Sequence, residues 1–153
     1  MVQDARRFKL IPFDASSWRL GIVRAHFNDH ITKLLQENVL ARAKQYKLKP
    51  SNIIIAEVAG SIEVPLVLQK LAASGKYDAL VAIACVIRGE TAHFEYVSKY
   101  ITEGILRVQL DHKTPIAFSV LNCDNEEQAL ARTELGGEHL DAVLHQARLL
   151  RDI

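Results

Sequence analysis

Four apolar runs, each followed by a segment with helical spacing, limit what this chain can fold into. "WRLGIVRA" (Trp18 to Ala25) leads into "NDHITKLLQENVLARAKQY", where Ile31, Leu34 and Leu35 fall on one helical stripe. "NIIIAEV" (Asn52 to Val58) leads through "AGSIE" into "VPLVLQKLAAS", which stops at Gly75. "DALVAIACVI" (Asp78 to Ile87) leads into "TAHFEYVSKYITEGILRVQL". "PIAFSVLN" (Pro115 to Asn122) leads into "NEEQALARTEL" and, past Gly136 and Gly137, into "EHLDAVLHQARLL". Strands that alternate with helices need crossover connections, which build a parallel sheet covered on both faces. The runs are continuous rather than alternating, as burial from both sides demands. The expected fold is therefore an α/β three-layer sandwich with a four-stranded parallel sheet and helices on both faces. Asn28 or Asp29 is the expected N-cap of the first helix. Residues 1 to 16 stand outside the repeat, as an arm or an added edge strand, and residues 17 to 153 read as a single domain.

Composition narrows the function classes. The chain has 153 residues, 49% apolar and 24% charged, which suits one globular domain with a sizeable core. Nineteen basic and eighteen acidic residues leave a net charge of +1, with no basic excess for a phosphate backbone, so nucleic acid is not the expected partner. The longest apolar run, Ala79 to Ile87, is too short to span a membrane. Two cysteines make neither a disulfide framework nor a zinc site, and six histidines show no ligand spacing, so no metal is expected. The expected compartment is a reducing cytoplasm.

In an open parallel sheet, ligands bind beyond the carboxyl ends of the strands. Four segments fall there: "HFN", "AGSIE", "CVIRGETAH" and "LNCDN". Phe27 at a strand mouth suits stacking on a flat ring, or a plug over the sheet. "GSIE" suits a ligand-holding turn, or a plain turn capped by Ser61. In "RGETAH" a glycine precedes backbone amides at a helix start, a setting that favours a bound phosphate. His93 then lies within the first turn, where an imidazole suits proton transfer; alternatively it is a surface histidine at a helix start.

Taken in order, "HFN", "AGSIEVPL", "VIRGETAHFEYV" and "PIAFSVLNCDNEEQALAR" resemble the 6,7-dimethyl-8-ribityllumazine synthases of riboflavin biosynthesis, from about Trp18 onward. The resemblance implies a flavodoxin-like fold. It implies a transferase that condenses 5-amino-6-ribitylaminouracil with 3,4-dihydroxy-2-butanone 4-phosphate, without metal or redox cofactor. It implies that Phe27 stacks on the pyrimidine, that Ser61, Ile62 and Glu63 hold the ribityl chain and part of the ring, and that Cys85, Val86 and Ile87 line the ring pocket. Glu90 and Thr91 would bind phosphate through their amides, and His93 would transfer protons. Phe118 and Arg132 match positions that a neighbouring subunit supplies, which implies a homo-pentamer. Riboflavin synthase is the implied protein partner. One departure stands out: where the family has a longer Gly-Asn-Lys-Gly turn after the arginine, this chain reads "TELGGEHLDAV", without the lysine. Ser119, where the family often has glycine, is a milder one. With that lysine gone, the alternative is a weak or inactive relative that binds lumazine or flavin. A flavodoxin-like nucleotide module would instead carry a Ser/Thr-rich loop after the first strand, where this chain has "RAHFNDH".

Overall fold

The structure, a computed structural model, describes residues 9–153. Its strands are β1 (Leu20–Ala25), β2 (Ile53–Val58), β3 (Ala79–Ile87) and β4 (Ile116–Cys123). They form one parallel sheet in the order β2-β1-β3-β4. The helices are α1 (Asp29–Gln45), α2 (Val64–Ala73), α3 (His93–His112), α4 (Glu126–Leu130) and α5 (Leu135–Asp152). The sheet separates two apolar clusters. One joins α1 and α5 to Leu20, Ile22, Val81 and Ile83; the other joins α2 and α3 to Val23, Leu80, Ala82 and Ala84. Adjacent strand residues thus point to opposite layers, as the pleat requires. The flavodoxin-like three-layer α/β fold expected from the alternation is the fold observed.

Three local expectations change. β2 lies at the sheet edge and is only partly covered, with Ile54 and Ile55 exposed, so burial from both faces holds for β1 and β3 but not for β2. Gly136 and Gly137 lie inside the first turn of α5 rather than ahead of it. There α5 meets α1 so closely that a Cβ on Gly136 would sit 2.7 Å from the Leu35 carbonyl oxygen. Asn28 occupies the cap position of α1 but makes no capping bond with its side chain. Its backbone is left-handed (φ 60°), which asparagine tolerates, and its amide instead donates to the Cys85 carbonyl at 2.9 Å.

Of the expected arm or edge strand, residues 1–8 lie outside the described residues, and residues 9–16 form no strand. Phe13 packs edge-on against Trp18, Tyr46 and His145, and the Ala15 amide donates to the Tyr46 carbonyl. No helix among the described residues is long and apolar enough to cross a membrane.

Candidate active site

The chain runs from β1 out to β2 on one side, then back across to β3 on the other. Loops leaving β1 and β3 therefore diverge, and a crevice opens at their carboxyl ends. A cleft of about 350 Å³ lies at this point. Phe27, directly after β1, forms one wall; it is 70% exposed, an unusual amount for a phenylalanine with no partner to cover it. Its amide is pinned to the Ala59 carbonyl, and the neighbouring Asn28 side chain is pinned to β3. The ring is thus held at the mouth by both flanking strands.

The 3-10 turn Ser61–Glu63 forms the second wall. Gly60 rather than Ser61 takes the cap position, and Ser61 is buried against the cleft without a capping bond. The floor is the end of β3, from Cys85 to Ile87. Burial pushes the Cys85 thiol up to about 12, with Cys123 and Glu126 adding to the effect, so it stays neutral and serves as an apolar wall rather than a nucleophile.

The third wall is the loop from Gly89 and the first turn of α3: Thr91, His93, Phe94 and Val97. Helix α3 begins at His93, three and two residues after Glu90 and Thr91, whose amides were expected to open it. The chain first makes an open loop, in which the amides of Gly89, Glu90, Thr91 and Ala92 carry no hydrogen bond among the described residues. Successive free amides of this kind are available to hydrogen-bond an anion without needing the helix dipole. The Thr91 hydroxyl accepts from the His93 amide at 3.3 Å and fixes where the helix starts. Arg88, the nearest cation in sequence, is spent elsewhere: its Nε donates to Asp124 at 2.9 Å and its Nη1 to Glu95, and it stacks over Phe94.

Phe27, Ser61, Ile62, Glu63, Cys85, Val86, Ile87, Thr91 and His93 are therefore brought together in one cleft. Glu90, Phe118 and Arg132 are not among its lining residues. Phe118 pairs in register with Ala82, five residues below the end of β3, or roughly 16 Å along the strand. Arg132 follows α4, exposed, with Nη1 donating to the Gln128 carbonyl. Two lining residues, Phe94 and Val97, are not singled out by the sequence reading. Val97 was detectable, since it lies four residues after His93 on the same helical face.

A cleft of this kind at the switch point of a flavodoxin-like sheet, with an aromatic wall facing free amides and an imidazole, defines a small-molecule α/β enzyme. The family model described as 6,7-dimethyl-8-ribityllumazine synthase matches residues 17–151. A 6,7-dimethyl-8-ribityllumazine synthase of Cupriavidus metallidurans is 44% identical over 138 residues, 90% of this chain and 82% of the relative. One of Paracidovorax citrulli is 44% identical over 145 residues, 92% of each chain. One of Desulfovibrio desulfuricans is 38% identical over 140 residues, 90% of each. The chain belongs to the 6,7-dimethyl-8-ribityllumazine synthase family.

Proposed function

We propose that this chain condenses 5-amino-6-ribitylaminouracil with 3,4-dihydroxy-2-butanone 4-phosphate to give 6,7-dimethyl-8-ribityllumazine, phosphate and water. One observation carries the reading. A single cleft is lined by the Phe27 ring, by Gly89 and Thr91 of a loop whose amides are unpaired among the described residues, and by the His93 imidazole. A flat ring fits the first, a phosphate the second, and the bond-forming carbons the space between.

The uracil amine attacks the ketone and releases water as the imine forms. Phosphate then leaves with its bonding electron pair as a proton is lost from the neighbouring carbon. The resulting enol tautomerises to a ketone, and attack by the ribitylamino nitrogen with loss of a second water closes the ring. Phe27 stacks on the pyrimidine, Ser61, Ile62 and Glu63 hold the ribityl chain and ring edge, and the backbone of Cys85, Val86 and Ile87 lines the ring pocket. The amides of Glu90 and Thr91 receive the phosphate, and His93 carries protons. Holding two reactants together and stabilising the leaving phosphate supply most of the rate.

Phe118 and Arg132 act on the cleft of the next subunit, Phe118 closing over the ring and Arg132 pairing with phosphate. Their distance from the cleft of their own chain supports this, and repeated head-to-tail contact closes a homo-pentamer. Residues 17–153 work as one domain, in the cytoplasm, with riboflavin synthase as the partner that takes the product.

The test mixes purified protein with both substrates and follows the lumazine by absorbance and fluorescence. Product above the uncatalysed rate is the expected result. Tight lumazine or flavin binding without turnover would replace it with the binding-protein reading, which the missing lysine after Arg132 favours.

A further inference from the structure

Beside the cleft, but outside its lining, β1 carries a guanidinium where an aliphatic side chain would fit. Leu20 and Ile22 point into the α1 layer, and Arg24 continues their row, 4% exposed. Its Nη1 donates to Asp29 Oδ1 at 2.6 Å and to Thr32 Oγ1 at 3.1 Å, and its Nη2 donates to Glu57 Oε1 at 3.0 Å. Its Nε has no partner among the described residues. His26 closes the figure: Nε2 lies 2.8 Å from Glu57 Oε2 and Nδ1 lies 3.6 Å from Asp29 Oδ1. Asp29 opens α1, and Glu57 is the register partner of Arg24 on β2.

Such an arrangement is a poor way to gain stability. A well-packed aliphatic residue in place of a buried charge is often neutral or stabilising, and here one donor also goes unsatisfied. What the network does is geometric. It ties the end of β1, the end of β2 and the first turn of α1 to one another, and the residues between those ties are His26, Phe27 and Asn28. The His26 and Phe27 amides complete the clamp on the Val58 and Ala59 carbonyls, at 2.8 and 3.0 Å.

We infer that Arg24 is a positioning residue for the ring-binding half of the cleft: by holding Asp29 and Glu57 it fixes the turn that presents Phe27. This rests on the proposed reaction for its kinetic consequence but not for its structural one. Arg24 touches no substrate and acts only through the orientation of that turn.

Two measurements on the full chain test it. In steady-state kinetics, Arg24→Met, which fills the row without the charge, should raise KM for the ribitylaminouracil about tenfold. KM for the butanone phosphate and kcat should stay within roughly twofold. Arg24→Lys should recover part of the loss, since the charge returns without the fork. In amide exchange, Arg24→Met should accelerate the His26 and Phe27 amides while β3 amides keep their rate. A parallel rise in both Michaelis constants, or an unchanged one for the uracil, would overturn the inference. So would unchanged exchange at residues 26 and 27. If the unaltered protein makes no lumazine, the proposed reaction fails, and the exchange result still decides whether Arg24 orders the turn.

Discussion

The two helical layers differ in how far this chain completes them. On the α1/α5 side the packing is closed. Arg42 pairs with Asp141, whose other oxygen accepts from the Tyr46 hydroxyl at 2.7 Å, and Phe13 covers Trp18, Tyr46 and His145. Exposed large apolar side chains on α5 are confined to its last turn. On the α2/α3 side Pro65 packs tightly on Gly104, yet Leu66 and Tyr96 are each 73% exposed. Tyr100, Leu106, Leu110 and the Phe118 ring on β4 are exposed too. An apolar surface rich in tyrosine is the composition of a protein interface. One layer is covered within the chain; the other keeps a broad apolar surface exposed. The cleft divides the same way, since its ring wall is complete while Phe118 and Arg132 face elsewhere.

The sharpest way to break this contrast is a charge on the unfinished face. Tyr100→Asp should weaken assembly by about a thousandfold or more, because a desolvated unpaired carboxylate costs several kcal/mol. Light scattering should report a monomer, with activity lost alongside. Lys44→Asp, on the exposed side of α1, should leave the assembly intact. Equal responses from the two faces would mean that the exposed tyrosines are ordinary surface.

On the finished face the expected damage is to folding instead. Gly136→Ala places a methyl 2.7 Å from a backbone oxygen that cannot rotate away, and overpacking of this sort costs about 1–3 kcal/mol. Urea unfolding at fixed protein concentration should show a lower midpoint with an unchanged slope. A stability within error of the unaltered protein would mean that α5 slides on α1 without cost.

The same contrast explains what was legible in the sequence. The β–α alternation and the apolar continuity of β1 and β3 come from local chemistry, so the three-layer fold could be read directly. The strand-end rule then located Phe27, the Ser61–Glu63 turn and His93. What could not be read depends on partners distant in sequence. Nothing near Asn28 shows that its side chain is drawn to Cys85, and nothing near Gly136 shows that Leu35 lies against it. Nothing near Arg24 in sequence marks its role, because its three oxygen partners lie five, eight and thirty-three residues away. The roles expected of Phe118 and Arg132 rest only on family resemblance, since neither residue lines the cleft of its own chain.

Arg132 offers a gentler test of the divided site. With the family's lysine missing, Arg132 is the expected side-chain cation for the phosphate. A charge-assisted contact contributes on the order of 1.5–3 kcal/mol, so Arg132→Ala should raise KM for the butanone phosphate about tenfold or more. The uracil constant should move far less, and Arg132→Lys should restore only part. His93→Ala should cut turnover by about 10²-fold or more yet leave measurable activity. Dissociating the two alanine variants and reassembling them together should then rebuild some intact clefts and raise activity above either alone. No gain on mixing would show that each cleft takes all its groups from one chain.

The smallest expected effect is a pH dependence that belongs to the finished layer. Two imidazoles on α5 are held below their ordinary pKa, chiefly by burial. His139 sits 2.9 Å from the buried Ser119 hydroxyl, and His145 lies among Phe13 and Tyr46 with the Arg148 charge nearby. Both are neutral in the folded protein at pH 7, whereas the unfolded chain takes up their protons near pH 6.5. A depressed folded pKa contributes stability that is present above the unfolded value and lost as pH falls toward the folded one. Asp29, Glu57 and Glu95 are depressed as well, mainly by hydrogen bonds from Arg24, His26 and Arg88, but they act only below about pH 4. Between pH 7.5 and 5.5 the histidines should therefore dominate, lowering the melting temperature by about 2–8 °C. His139→Asn keeps a polar partner for Ser119 and should flatten part of that slope. Acid should loosen α5 before it loosens α3, so amide exchange at pH 5.5 should accelerate in α5 first. Faster exchange in α3 would place the acid-sensitive contacts in the α2/α3 layer and reverse the assignment.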